Sequence, residues 1–293
     1  FTSSAALNQL DFGKTPWSKT HPATDYSGYY TVTLAAKLDT FEEPIITGPG
    51  SDYAPVGSGY LTIKKMSSSQ ANSGTVKWAG VLPNGTSVSG SGVLAEMSEK
   101  TVWLPMVKFT SKDKFAGVVA IKRGAASAVE GEDCWESVSV PNLDEGAVYT
   151  WWRHTENSTK TDKNEFTVRY KPYGGIYDST YDLSCCCEKQ QRSTDMTLSV
   201  VPDSFASDYY GSFKSVEAIG VTVGEHSITR KDSTGGANKI TLSYNKSTGI
   251  VSGKFDLHYT DAKTKADKKL SATYVGVIQL GYGGCCGTVP SSL

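Results

Sequence analysis

Three cysteines stand in a row in YDLSCCCEKQ (181–190), at Cys185, Cys186 and Cys187, and two more in GYGGCCGTVP (281–290), at Cys285 and Cys286. Cys134 is the sixth and last. Thiols in such runs can ligate a metal, cycle redox equivalents or form disulfides. A zinc site spaces its ligands C-x2–4-C so that two thiolates converge on one ion at about 2.3 Å. Neighbours on an extended strand belong to opposite faces, so only Cys185 and Cys187 share a side. The chain has no C-x2-C pair, and His21, His154, His226 and His258 are isolated in sequence. A thioredoxin-like site needs C-x-x-C at a helix start to lower a thiol pKa, and none is present. Disulfides are the expectation that survives. An even count of six suits three bonds, out of roughly 15 possible pairings. Bonds between direct neighbours are strained, so the 185–187 run is expected to join the 285–286 pair twice and to leave one cysteine for Cys134. Each bond would contribute about 3 to 5 kcal/mol in the chain-entropy model. No metal ion and no cofactor is therefore expected.

Other chemistry is sparse. A serine nucleophile elbow reads G-x-S-x-G between strand and helix; NGTSVSGSG (84–92) misses that spacing and runs into a strand pattern. Paired carboxylates occur at Glu42-Glu43, Glu130-Glu132-Asp133 and Asp144-Glu145, all in polar loops where acids are normally solvated. The EGED stretch (130–133) lacks the D-x-D-x-D-G spacing of a dedicated calcium loop. GPGSDYAPVGSG (48–59) lacks the helix that a phosphate-binding loop requires. No catalytic residue is expected. YTWWRH (149–154) and SDYYGSF (207–213) hold aromatic clusters, so Trp151, Trp152, Tyr209 and Tyr210 are candidates for stacking on a sugar, against the commoner role of core or interface. Asn84, Asn157 and Asn245 each begin an N-x-[ST] sequon.

The elements that must position these residues read as strands. GYLTIKKM (59–66), TVKWAGVL (75–82), SVSGSGVLAEM (87–97), TVWLPMVKF (101–109) and FAGVVAIKR (115–123) are rich in Val, Thr, Ile and aromatics, with alternation and not helical periodicity. EFTVRYKPY (165–173), DMTLSVVPD (195–203), KITLSYN (239–245), GIVSGKFDLHYT (249–260) and KLSATYVGVIQL (269–280) continue the style. Asn84-Gly85 predicts a tight hairpin and NKSTG (245–249) a five-residue one. TDAKTKADKK (260–269) predicts a charged turn, and SSSQANSG (67–74) a polar hairpin tip. The small, acidic stretch around 126–148 reads as a connector.

The two halves are loosely self-similar: GTVKWAGVL and FAGVVAI in the first answer KITLSYNKSTGIVSGKFDL and ATYVGVIQLGYG in the second. The run GYY…GSGYLTIKK…SGTVKWAGVLPNGTSVSGSGVL…LPMVKF…FAGVVAIKRG resembles a β-rich Gly/Thr repeat of large exported planctomycete- and verrucomicrobia-type bacterial surface proteins. Gly80, Leu82, Asn84, Gly85 and Thr86 take its hairpin positions, with Asn where that repeat usually has an acid. The resemblance spans roughly 28–123 and 149–287. It implies export and a β-rich surface protein, and it carries no catalytic residues. The cysteine runs are not part of it.

Lys+Arg 29 against Asp+Glu 30, with 38% hydrophobic residues, indicate a folded chain with no global preference for nucleic acid or an anionic membrane. No run reaches the roughly 18 apolar residues of a membrane span. Opening on Phe1, the chain is expected to be an exported form whose signal peptide has been removed. The expected fold is all-β: two tandem antiparallel β-sandwich or barrel-like domains, disulfide-stapled, with an N-terminal arm at 1–25, a first domain at 26–125, the connector at 126–148 and a second domain at 149–293. The expected function is that of an extracellular structural protein, not an enzyme: a subunit of a surface filament, sheath or layer built by self-association. The arm 1–25 would serve as a strand donor. The alternative expectation is a carbohydrate-binding or adhesive module.

Overall fold

A computed structural model describes residues 16–36, 45–51, 54, 57–98, 100–110, 112–122, 137–139, 150–154, 165–184, 194–198, 218–234, 236–261 and 263–279. The chain is nearly all β and divides into two compact units, Phe1–Tyr177 with Gln279–Gly283, and Asp178–Ile278 with Gly284–Leu293.

Unit 1 contains β1 (Tyr30–Ala36), β2 (Ile46–Thr47), β3 (Gly59–Ile63), the single helical turn α1 (Ser68–Ala71), β4 (Thr75–Val81), β5 (Ser87–Val93), β6 (Ala95–Ser98), β7 (Thr101–Phe109), β8 (Asp113–Lys122), β9 (Ser137–Ser139), β10 (Thr150–His154) and β11 (Phe166–Ile176). They form one antiparallel sheet in the order β5-β4-β3-β1-β11-β10-β8-β7-β6, with β2 on β11 and β9 bridging β11 and β8. The chain therefore divides later than the sequence pattern indicates. Strands 150–154 and 166–176, assigned by pattern to a second domain, complete the first sheet: β11 pairs with β1 on one side and β10 on the other. Strand periodicity identifies a strand, but it does not say which neighbour 100 residues away will accept its hydrogen bonds.

The inward face of this sheet carries Tyr30, Val32 and Leu34 of β1, Leu61 and Ile63 of β3, Trp78 of β4, Phe115 of β8 and Tyr170 of β11, all at most 1% exposed. Cross-strand register puts Tyr30 against Ile63, and Ile63 against Trp78. Burial of each such side chain contributes about 1.5 to 3 kcal/mol. The sheet curls into a half-barrel, which brings β5 against β7. A Cβ on Gly92 would lie 2.3 Å from the Pro105 carbonyl oxygen, so a glycine is required where the two backbones meet. Two prolines sit inside strands at positions with a single ladder neighbour. Among the described residues, Pro172 pairs with Leu34 alone, because β10 ends opposite Tyr170 and β9 begins opposite Gly174. Pro105 pairs with Val118, beyond the end of β6 opposite Trp103. A missing N–H is harmless there.

The Asn84-Gly85 hairpin forms as its residues predict: Leu82 N–H donates to the Thr86 carbonyl at 2.9 Å, Thr86 N–H donates to Asn84 Oδ1 at 2.9 Å, and Gly85 holds φ +81°. The SSSQANSG connection is tighter than a plain hairpin tip. Ser67 and Gln70 make a reciprocal capping box, which turns it into α1. Residues 16–25, expected to be part of a free arm, are packed instead. Trp17 is 7% exposed, its Nε1 donates to the Leu94 carbonyl at 2.7 Å, and Ala23 is fully buried. An indole that buries its ring and satisfies its one donor is a core residue, not a donor arm.

Outside the core, the sheet's outer face is treated in two ways. On β1 and β3, Thr31, Thr33 and Thr62 are at most 5% exposed, and buried Gln279 donates from Nε2 to Thr33 Oγ1 at 2.6 Å. On β7 and β8, Trp103, Val118 and Ala120 form a small buried cluster with Ala95, but Val107 and Phe109 further along β7 are open to solvent.

Unit 2 holds two three-stranded sheets: β12 (Asp195–Leu198), β13 (Ile219–Gly224) and β14 (Ser227–Arg230); and β15 (Ser243–Asn245), β16 (Ile250–Thr260) and β17 (Asp267–Val277).

Replacing Gly92 with Val should separate β5 from β7 and cost roughly 3 kcal/mol, at the upper end of overpacking. Replacing Gly85 with Ala, where nothing lies within 4 Å of the added Cβ, should cost only about 1 kcal/mol, through its left-handed φ. Urea midpoints followed by tryptophan fluorescence will separate the two.

Candidate functional site

The residues singled out by sequence scatter. Cys134, Cys185, Cys186, Cys187, Cys285 and Cys286 lie outside the described residues, as do Tyr209, Tyr210, Asn157 and the three acidic clusters. Trp151 and Trp152 are in β10, where position 151 lies opposite Ala116 and Arg169 and position 152 opposite Phe115 and Val168. Consecutive ladder positions belong to opposite faces of a sheet, so the two do not make one stacking platform. Asn84 and Asn245 are exposed in turns, each using Oδ1 to cap the backbone N–H two residues on. The serine-rich run after Asn84 is β5, and the glycines at 48–59 lead into β3 with no helix after them. Among the described residues no three His, Cys, Asp or Glu side chains come together as a metal site, and no helix is long and apolar enough to cross a membrane.

What the structure does build is a long hairpin in unit 2. β16 and β17 pair without a slip from Ile250–Val277 to Thr260–Asp267. Alternation sets its buried side: Val251, Phe255 and Leu257 on β16 and Tyr274 on β17 are at most 6% exposed. The turn is organised by one carboxylate. Asp261 Oδ1 accepts from the backbone N–H groups of Lys263 (3.0 Å) and Thr264 (2.7 Å) and from Thr264 Oγ1 (3.0 Å), while Oδ2 accepts from Lys268 Nζ at 2.6 Å. The Lys268 ammonium and these hydrogen bonds hold the Asp261 carboxyl far below the usual carboxylate range.

A second carboxylate stands mid-hairpin. Asp256 accepts from Ser271 Oγ at 2.6 Å and from Lys269 Nζ at 3.0 Å, and the Ser271 bond leads in lowering its pKa. Its backbone is held by Asn238, which accepts from Asp256 N–H at 2.7 Å and donates from Nδ2 to the Asp256 carbonyl at 2.7 Å. Thr241 does the same for Lys254, and Tyr274 Oη donates to the Thr241 carbonyl at 2.7 Å. Burial pushes the Tyr274 phenol up to about 12. Irregular residues 238–241 therefore stand in for a strand along β16.

A Ser–Asp–Lys grouping invites a catalytic reading, and the electrostatics oppose it. A general base must want a proton near working pH, whereas Asp256 is held ionised by two donors, and the Ser271 hydroxyl is spent on that carboxylate. The grouping is an electrostatic clasp across the ladder. An open concavity of about 400 Å³ lies nearby, lined by Thr241, Ser243, Ser252, Lys254, Thr273 and Tyr274, but its one phenol is already bonded to the backbone.

The far side of β17 is different. Among the described residues, β17 pairs with β16 alone, and the exposed part of the strand is its first half, while Tyr274, Gly276 and Val277 are buried. Positions 267–271 and Thr273 are exposed, and Leu270 is 40% exposed although its partner Leu257 is buried. The clasp and the free edge are products of cross-strand pairing, visible in sequence only once 250–260 and 267–277 are paired. Asp261 and Asp256 then fall within reach of Lys268 and Lys269.

Comparison of the chain with protein families, curated proteins and solved structures returns no match.

The two aspartates set an acid limit on the hairpin. Their folded pKa values lie below the unfolded value of about 3.9, so their contribution is complete above about pH 4 and is lost as pH falls through the folded values. Amide protection across 250–277, measured by hydrogen exchange corrected for intrinsic rate, should fall between pH 4 and pH 2 before that of β1 and β3. Combining Asp256→Asn with Asp261→Asn should remove most of that dependence; an unchanged profile would refute the clasp.

Proposed function

We propose that the chain is an extracellular structural protein, a subunit of a surface filament, sheath or layer whose copies join through β contacts. The observation that carries this is that β17, 11 residues long, pairs with β16 alone among the described residues and is exposed over its first half. An unpaired row of N–H and C=O groups is a template for another strand. Proteins usually guard such edges with short strands, bulges or free lysines. In unit 1, β6 is four residues long and bulged, and β5 lies against β7. In unit 2, β12 and β14 have four residues each and β15 has three. β17 is long, and the lysines on it are neutralised within the molecule: Lys268 by Asp261 and Lys269 by Asp256. The charge that would repel a second strand is thereby cancelled, while exposed Leu270 offers it an apolar contact.

The pairing expected of the six cysteines belongs to the same proposal. Disulfides suit an oxidising exterior and would keep a subunit folded without cellular quality control. The packing of Trp17 moves the strand donor of this assembly from the N-terminal segment to β17.

At rising protein concentration, sedimentation velocity and negative-stain electron microscopy should show assemblies larger than the monomer. Leu270→Lys should weaken association at least tenfold with an unchanged circular dichroism spectrum. A wild-type protein that stays monomeric at millimolar concentration would overturn the proposal.

A further inference from the structure

Several turns use one device, a side-chain Oδ1 that accepts the backbone N–H two residues on. Asp178-Ser179-Thr180, Asp182-Leu183-Ser184 and Asp232-Ser233-Thr234 place a hydroxyl residue at that second position. In each, Oδ1 takes both the backbone N–H and the hydroxyl. The distances are 2.8 and 2.7 Å from Thr180, 2.8 and 2.5 Å from Ser184, and 3.0 and 3.4 Å from Thr234. The same spacing with asparagine occurs at Asn84-Gly85-Thr86 and Asn245-Lys246-Ser247. There Oδ1 takes the backbone N–H, at 2.9 Å from Thr86 and 3.0 Å from Ser247, without the hydroxyl. Among the described residues, no hydrogen bond engages Nδ2 of either asparagine, Thr86 Oγ1 or Ser247 Oγ.

An aspartate would cap both turns, since an ionised oxygen accepts more strongly than an amide one. What asparagine adds is Nδ2, and what Thr86 and Ser247 add is a hydroxyl that the turn leaves unused. Those two groups at that spacing are the signal for an N-linked glycan. Position agrees with chemistry. Asn84 and Asn245 are exposed, at the turns that join β4 to β5 and β15 to β16. Around Asn84 the surface is open, since a Cβ built on Gly85 would meet nothing within 4 Å.

From this contrast we infer that Asn84 and Asn245 are N-glycosylation acceptors. The donor is an oligosaccharide carried on a polyprenyl diphosphate. Its C1 bonds to Nδ2, the C1–O bond breaks, and the diphosphate leaves with the electron pair. One Nδ2 proton passes to a base of the transferase. The product is a secondary amide that keeps its carbonyl oxygen, so the Oδ1 cap survives and the turn is undisturbed. Donor and transferase belong to an export route, so the inference rests on the extracellular reading. It is also compatible with assembly through β17. Asn245 lies opposite Ile250, which pairs with Val277 at the buried end of β17. Asp267, at the exposed end, pairs with Thr260 at the other end of β16. An extended strand of that length separates the two ends by about 33 Å, so a glycan on Asn245 is remote from 267–271.

The test uses the intact chain, sent through the secretory pathway of cultured mammalian cells behind a cleavable leader. Peptide N-glycosidase in heavy-oxygen water converts each glycan-bearing asparagine to a labelled aspartate, which peptide mass spectrometry locates. Label is expected at positions 84 and 245. Thr86→Val should abolish it at 84 and Ser247→Ala at 245, although each variant keeps the asparagine and the N–H that caps it. Thr86→Ser should retain it. Medium and cell lysate are both read, so a variant that fails to fold is still scored. A wild-type chain unlabelled at either position would overturn the assignment there. So would label that persists in the Val or Ala variant, or that appears without the enzyme through deamidation at Asn84-Gly85. Sedimentation of the same samples keeps the two readings apart: assemblies of an unlabelled chain refute the acceptors alone, and a labelled monomer refutes assembly alone.

Discussion

The backbone approach of β5 to β7 is the constraint on which unit 1 depends. A sheet that carries Trp78 on β4 and Phe115 on β8 can bury both on one inward face only if it curls, and their rings do lie 5.8 Å apart. Curling brings its ends together at Gly92 and Pro105, where there is no room for a side chain. Once the ends meet, the inner face is sealed and the edges are short or covered. What remains is the outer face. That face is closed over β1 and β3 by threonines and Gln279, and closed at one end of β7 and β8 by Trp103. Its open remainder is where Phe109 and Val107 lie.

Unit 2 meets the same need for paired backbone with different means. β16 is satisfied along one side by β17 and along the other by β15 and the irregular residues Asn238 and Thr241. The polar atoms along this hairpin are engaged locally, and Asp256, Asp261 and Tyr274 each spend their oxygens on named partners. A site so thoroughly satisfied has little left for chemistry on a substrate. Among the described residues, the second backbone edge of β17 has no strand beside it.

Much of this was legible in the residues. Asn84-Gly85 and Asn245–Gly249 mark hairpins because they supply the turn geometry locally, and alternation in 101–109 and 250–260 marks strands because half of each is buried. The division of the chain was not legible, since β11 has the same alternation whether it pairs with β1 or with a strand of its own half. Nor was the packing of residues 16–25. Trp17 sits in a polar stretch, and its partner Leu94 is 77 residues away. The tryptophan pair at 151–152 looked like a platform because sequence adjacency resembles spatial adjacency, but the pleat separates the two positions.

Charge shows the same difference between totals and arrangement. With 29 basic and 30 acidic residues the whole chain is near neutral, which by itself speaks against a polyanionic partner. Local fields at a protein surface do not follow that total. Screening confines each charge to about 8 to 10 Å in physiological salt, close to the reach of a diagonal cross-strand neighbour. In unit 2, Asp261 and Asp256 pair with Lys268 and Lys269; in unit 1, Glu165 pairs with Arg153. A neutral chain can therefore present a cationic face wherever the fold gathers its lysines and arginines on one side of a sheet and spends its aspartates elsewhere.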